Sequence, residues 1–498
     1  MVDFGKELRI LLRHGATYGF GDLLSRLVGF LMIPVYTHYL STSDYGINEL
    51  VGLSMEVIGI VLSLGIAGAI YRFYYDKEIE HPNLVVSTAF VGVPIVGFIV
   101  LGGLSFLSGE LAAWILEGRD QWIYMFLGLF TLWFNQTFGL VYAYLRVRER
   151  SGTYVIISLA KLVTALSLNI YFIVILEWGV LGLFTSDVIT AGLFCIIVFP
   201  WYLREVGHKF SFAIAKKLLR FSLPIIPAYL ASLVVNASDR YFIRAFLSMS
   251  DVGVYALGYK LGVVVFHLIR TPFMQIWDPR RYALYRQGAP VEIYARVATY
   301  LTGLMIFVAL GISVFVQDII KIISPQEYWG AAAYVPAVAL CYVLSAMDQH
   351  VAFGILIEKK TEYWAYVNLV MGALNLLLNL LLIRAYGLWG AVAATFVCFV
   401  FKIAAFHLIS RRFLKIPFEW MRMGLILLVS VVVYFLSVIV HPSSLIPALL
   451  FDSVMVLAFL CMVWIFGIIR RDEKEATLRL IRGLFGKKSL ETVQNSSS

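Results

Sequence analysis

Asp22 and Arg26 stand four residues apart in one apolar run, and Asp239 and Arg240 are neighbours in another. Five more cations, Lys161, Arg244, Lys260, Arg270 and Lys402, also fall within long apolar runs. At the centre of a lipid-facing helix each would cost about 2.5–3.5 kcal/mol. Such side chains must therefore face water, a partner or a ligand. Arginine suits phosphate, because its planar fork makes paired, charge-assisted hydrogen bonds. A surplus of buried cations thus points to an anionic cargo. The competing role is to neutralise an internal carboxylate: Asp22, Glu56, Asp187, Asp239, Asp348 or Asp452. Both roles remain open for each cation. Asp22 and Asp239 are also candidates to carry a coupling ion, H+ or Na+, since carboxylates within spans often serve relays.

Helical spacing groups these residues. At 100° per residue, Gly15, Gly19, Asp22, Arg26 and Gly29 fall in one narrow sector. Asp22 and Arg26 can pair at i, i+4, and the glycines admit a close backbone or ligand. Tyr229, Ser232, Asn236, Asp239 and Arg240 share a second face. Lys260 shares a face with His267, and Lys161 with Tyr154, Ser158 and Ala165. Arg244 and Arg270 lie near the ends of their runs, where they can snorkel toward the headgroups. Pro224 and Pro227 remove backbone donors and favour a kink ahead of the second face.

The elements that carry these faces are membrane spans. Of 498 residues 61% are apolar and only 14% charged; soluble chains run near a quarter charged. The mean hydropathy is +0.85. Runs long enough to cross a bilayer predict about fourteen transmembrane helices, near 15–40, 47–73, 84–107, 121–145, 153–176, 180–203, 221–247, 253–277, 297–323, 331–357, 363–383, 388–410, 420–440 and 445–469. These are numbered spans 1 to 14 below. With both termini cytoplasmic, the segments on that side hold thirty Lys and Arg, Arg72 among them; the opposite side holds only Arg119, Lys321 and Arg384. That asymmetry follows the positive-inside rule. It accounts for the net charge of +9 with no nucleic-acid partner.

A repeat organises the spans. "LSTSDYGINEL" at Leu40–Leu50 recurs as "LSMSDVGVYAL" at Leu247–Leu257, with six of eleven positions identical at an offset of 207. "GVLG" at Gly179–Gly182 returns as "GLWG" at Gly387–Gly390, and Glu149-Arg150 as Glu358-Lys359, at nearly the same offset. The expected fold is all-α and polytopic: two parallel six-helix repeats, 1–205 and 206–413, then two extra helices over 414–470 and a basic cytoplasmic tail, 471–498. In the tail, Leu478, Ile481, Leu484 and Phe485 line one side of an amphipathic segment suited to the inner membrane surface. Shifting Asp22 and Gly29 by 207 lands on Tyr229 and Asn236, so the two polar faces occupy equivalent places. Transporters built of parallel repeats hold substrate near the midplane and rock one half against the other.

No P-loop, zinc-binding HExxH or dinucleotide fingerprint stands in a usable context. Cys195, Cys341, Cys398 and Cys461 lie in apolar runs with no metal-ligand spacing, which reads as buried small hydrophobes. Neither cofactor nor metal is expected, and no catalytic residue stands out.

The stretch "LLRFSLPIIPAYLASLVVNASDRYFIRAFLSMSDVGVYALGYKLG" (Leu218–Gly262) resembles the signature of polysaccharide-biosynthesis flippases of the Wzx type, in the multidrug/oligosaccharidyl-lipid/polysaccharide (MOP) exporter superfamily. Pro224, Pro227, Asp239, Arg240, Tyr241, Gly253, Tyr255 and Lys260 carry the match, and Arg26, Asp44, Gly46 and Arg72 carry it in the first half. The resemblance covers about residues 10–412. It implies two six-span lobes around a cation-lined cavity, and no enzyme. It implies a cargo of oligosaccharide on polyprenyl pyrophosphate, moved between the leaflets of the cytoplasmic membrane and delivered toward polysaccharide polymerase machinery. The pyrophosphate would meet Arg26 and Arg240, with Lys161, Lys260, Arg72 and Asn236 around it, while the prenyl tail stays in membrane lipid. Fourteen spans is also the number in lipid II flippases. A lipid II-type flippase and a multidrug or cation antiporter of the same superfamily are alternatives, as is a membrane glycan polymerase or ligase.

Overall fold

The structure, a computed structural model, describes residues 29–466 apart from Leu64, Lys77, Glu78, Glu80 and Ser443. Asp22, Arg26 and the tail lie outside the described residues. Within them the regular structure is helical throughout, with no strand. Among the described residues eleven helices are long and apolar enough to cross a membrane. Spans 4 and 7 are helical too, Trp122–Val147 and Ile226–Phe246, but polar residues interrupt their hydropathy. The described end of span 1 is Ile33–Tyr39. Many large apolar side chains are exposed, among them Phe98, Ile99, Ile196, Leu377, Leu428 and Ile465. A helix in lipid keeps its backbone hydrogen bonds within itself and turns such side chains to the acyl chains. The protein is a multi-pass membrane protein.

The chain forms two compact units. One comprises 29–258 with Lys321–Ala331 and Ala365–Cys398; the other comprises Tyr259–Ile320, Ala332–Trp364 and 399–466. Their borders run through the helices Met249–Val265, Glu292–Ile323, Thr361–Tyr386 and Leu388–Ser410. Packing units and repeat units are thus different divisions of one chain. The first unit is cored by Ile70, Val86, Phe90, Val141, Tyr144 and Phe199, where spans 2, 3, 4 and 6 meet. In the second, spans 13 and 14 pack on span 9 through Met305, Ile306, Val433 and Phe459, with the Phe307 and Phe459 rings stacked 6.2 Å apart.

The repeat is visible as local structure. Ser41 Oγ donates to Asp44 Oδ2 at 2.9 Å and accepts from the Asp44 amide at 3.1 Å. At the equivalent positions Ser248 Oγ donates to Asp251 Oδ2 at 2.5 Å and accepts from the Asp251 amide at 3.1 Å. Each pair is a reciprocal cap that starts span 2 or span 8. The loop is therefore written twice because each half needs the same helix start. Gly179 and Gly387 have φ of +57° and +58°, a left-handed conformation that favours glycine. Glu149 and Lys359, near the third landmark, also share positive φ.

Two further expectations meet the structure here. The proline-rich start of span 7 is a helix, Phe212–Ser222, then a 3₁₀ turn, Leu223–Ile225, then Ile226–Phe246, so Pro224 sits where the α-helix is interrupted. Cys195, Cys341 and Cys398 are buried, whereas Cys461 is exposed on span 14.

Candidate functional site

In the first unit, spans 2, 7 and 8 converge on Asp239 and Arg240. Both side chains are buried, at 2% and 3% exposure. Arg240 Nη1 donates to Asp239 Oδ1 at 2.7 Å and to the Asn236 carbonyl oxygen at 2.7 Å. Its guanidinium lies 5.2 Å from the centre of the Tyr255 ring, and Nε is 3.8 Å from Glu49 Oε1. Tyr255 Oη donates to Asp239 Oδ2 at 2.7 Å. One turn further along span 2, Ser54 and Tyr241 share a hydrogen bond of 3.0 Å. A buried ion pair with several partners is rigid, and removing one member strands the other. The pair thus fixes the phase of span 7 against spans 2 and 8.

Below the pair, Ser238 Oγ donates to Asn375 Oδ1 at 3.0 Å. Asn379 Nδ2 donates to both, at 3.2 and 3.1 Å. These two asparagines on span 11 were missed from the sequence, although an i, i+4 amide pair in an apolar helix is a readable signal.

A cavity of about 430 Å³ opens among spans 2, 4 and 6 of the same unit. Asn48 and Glu56 line it from span 2, Asn135 and Gln136 from span 4, and Asp187 from span 6. Lys161 of span 5 reaches its edge: Nζ donates to Asn135 Oδ1 at 2.7 Å and lies 5.1 Å from the Phe138 ring centre. Asn48, Gly52, Glu56, Gly59 and Ser63 all line the cavity and share one helical face. That face was legible in the sequence and was not read there. The lining mixes apolar side chains such as Val51, Met55, Leu132 and Phe184 with carboxylates and amides, and Lys161 joins it through Asn135.

The remaining candidates are dispersed. Asn236 contributes its carbonyl to Arg240, and its side chain is exposed. Arg72 is exposed at the end of Ile66–Phe73. Lys260 belongs to the second unit, half-buried on span 8. Asp22 and Arg26 lie outside the described residues.

Three other cations have protein partners. Arg244 does not snorkel: it donates through Nε, at 2.9 Å, and Nη2 to the carbonyl of Leu116, which ends the helix Ser108–Ile115. A cation at a helix C-terminus is favoured by the dipole there. Arg270 does not snorkel either. In the second unit it meets Asp348 Oδ1 at 3.3 Å, and Lys402 meets Oδ2 of the same carboxylate at 3.0 Å. For Arg270 and Lys402 the neutralising role therefore holds.

The two halves touch through the repeated loop, again within the first unit. Thr42 Oγ1 and Ser250 Oγ share a hydrogen bond of 2.7 Å. A Cβ on Gly46 would overlap the carbonyl oxygen of Met249, and a Cβ on Gly253 would overlap that of Thr42. Gly46 and Gly253 are equivalent in the repeat, as are Thr42 and Met249, so the contact is pseudo-symmetric. Tyr328, fully buried, donates to the carbonyls of Leu40 and Ser41 at 2.9 and 2.8 Å. Burial pushes its hydroxyl well above the ordinary tyrosine range, so it stays a donor.

Residues 11–280 match a family described as polysaccharide biosynthesis protein. The chain belongs to that family. A Haemophilus influenzae protein of the Lsg locus is 24% identical over 333 residues, covering 65% of this chain and 79% of its own length. The probable low-salt glycan biosynthesis flippase Agl15 of Haloferax volcanii is 22% identical, covering 79% and 82%. Among solved structures, the lipid II flippase MurJ in an inward closed conformation superposes with a TM-score of 0.68 at 13% identity, over 91% of this chain and 99% of MurJ. An inward-facing multidrug resistance MATE family transporter of the MOP superfamily gives 0.60 at 13% identity, over 80% and 95%. This member of the polysaccharide biosynthesis family thus has the MOP-superfamily fold.

Proposed function

We propose that the chain is a flippase that carries oligosaccharide linked to polyprenyl pyrophosphate across the cytoplasmic membrane, for surface polysaccharide assembly. It is a transporter and not an enzyme, and its termini are cytoplasmic by the distribution of basic residues. The observation that carries the reading is a cavity inside a bundle of membrane spans, whose largely apolar wall carries amide and carboxylate groups. Amides and carboxylates such as Asn48, Glu56, Asn135 and Gln136 accept and donate to sugar hydroxyls. These groups call for an occupant that can hydrogen-bond, since burying unpaired polar groups is costly. The glycan would occupy this cavity and the prenyl chain would stay in lipid. The pyrophosphate would be met by Lys161 and Arg240, with Arg26, Lys260, Arg72 and Asn236 as further proposed contacts. Asp22 and Asp239 are the proposed carriers of a coupling proton or Na+ ion. The halves would alternate, the contact between spans 2 and 8 opening as the other side closes.

One observation favours a second reading. Glu56 and Asp187 place carboxylates in the cavity, as a multidrug or cation antiporter requires. Cargo decides between the two. Proteoliposomes holding the purified chain should move a glycan on polyprenyl pyrophosphate to the far leaflet at least tenfold faster than protein-free vesicles, and should leave an organic cation dye where it was. Dye transport without glycan transport would select the antiporter. Movement of lipid II in preference to the other glycan would select the lipid II-type alternative.

A further inference from the structure

Spans 13 and 14 have no counterpart in the six-span repeats, and what fastens them bears on their use. Among the described residues of the second unit, Asp318 near the end of span 9, His441 in the turn between spans 13 and 14, and Asp452 on span 14 form a cluster. Their ligand atoms all lie within 4.8 Å of one another. His441 Nε2 is 3.4 Å from Asp318 Oδ2 and 3.9 Å from Asp452 Oδ2. Asp452 is 0% exposed and Asp318 3%. Both oxygens of Asp452, Oδ2 of Asp318 and Nε2 of His441 are buried without a hydrogen-bond partner. Two buried carboxylates facing each other are strongly unfavourable unless a proton or a metal cation neutralises them.

We propose that Asp318, His441 and Asp452 bind one divalent transition-metal ion of the zinc class, which pins the appended helix pair to span 9. The donor set selects the ion. An imidazole nitrogen with two carboxylates suits zinc and its neighbours, whereas magnesium and calcium prefer oxygen ligands alone. Two carboxylates balance a double positive charge. Zinc bonds of about 2.0–2.2 Å at tetrahedral angles set ligand atoms about 3.4 Å apart. The His441–Asp318 spacing already equals this, and Asp452 has to close by less than about 1.5 Å. The fourth position would be left to a water molecule. The three residues come from far-separated parts of the chain, so no local spacing announces them.

The test uses the tag-free full-length protein in detergent, stripped with chelator and titrated with zinc chloride, with magnesium chloride as control. It needs no transport readout, so it stands or falls apart from the proposed function. The wild type should take up zinc with at least about tenfold preference over magnesium, and zinc should raise its melting temperature. His441→Gln and Asp452→Asn should each weaken zinc binding by at least about tenfold and abolish the thermal shift. If Asp452→Asn does not fold, His441→Gln alone decides, since that residue sits in a partly exposed turn. Zinc uptake and thermal shift unchanged in His441→Gln would overturn the site. So would a wild type that binds no zinc, in which case a proton on His441 bridges the carboxylates instead.

Discussion

Replacing Arg240 by alanine is expected to abolish delivery of lipid-linked glycan to the far leaflet. The guanidinium is buried and serves Asp239, the Asn236 carbonyl and the face of Tyr255 at once. Its loss strands the Asp239 carboxylate, at a cost of about 3–5 kcal/mol, so the alanine variant loses stability as well as transport. Two further variants separate the effects. Arg240→Lys keeps the charge, but a compact ammonium cannot reproduce the planar fork. It should accumulate near wild-type amounts and transport at least tenfold more slowly. The double variant Asp239→Asn with Arg240→Gln removes both charges together and should recover thermal stability relative to Arg240→Ala, with transport still absent. If Arg240 only neutralises Asp239 and Asp239 carries no coupling ion, that neutral pair would transport normally. Melting temperature in detergent and leaflet accessibility in vesicles read the two effects independently.

Valine at Gly46 or at Gly253 is the second change with a large expected effect. Each new Cβ would meet a backbone carbonyl of the partner helix, and backbone cannot step aside as a flexible side chain can. Helices in lipid associate through close packing at small residues more than through a hydrophobic drive. The contact between spans 2 and 8 should therefore fail to close, with transport reduced to background. The core of spans 2, 3, 4 and 6 is not touched, so the protein should still insert and purify. Gly68→Ala is the control: nothing lies within 4 Å of the position its Cβ would take, and transport should be unchanged. Wild-type transport by both valine variants would show that this contact takes no part in the cycle.

Much of the fold was legible because bilayer thickness sets span length and because the chain repeats itself. The nearly equal offsets of Ser41–Gly46 with Ser248–Gly253, and of Gly179 with Gly387, reported real structural equivalences: paired caps, paired glycines and paired left-handed turns. The site was less legible. The sequence singled out Asp239 and Arg240 as intramembrane charges, but the phase of one helix against another decides what such a charge meets. Glu49 and Tyr255 come to Arg240 from spans 2 and 8 through tertiary packing alone. The same cause turned Arg270 from an expected headgroup contact to Asp348, and turned Arg244 to the Leu116 carbonyl. Asp318, His441 and Asp452 share no spacing at all. The polar face of span 2, by contrast, was written in the sequence at helical period and was passed over because its residues are mostly uncharged.

A reversible cross-link between Thr42→Cys and Ser250→Cys probes alternation of the two halves most directly. The native hydroxyl oxygens are 2.7 Å apart, so the thiols should bridge on mild oxidation. In proteoliposomes loaded with glycan on polyprenyl pyrophosphate, transport should fall to background when the bridge forms and return when it is reduced. Full-rate transport with the cross-link complete would contradict a cycle in which this contact has to open.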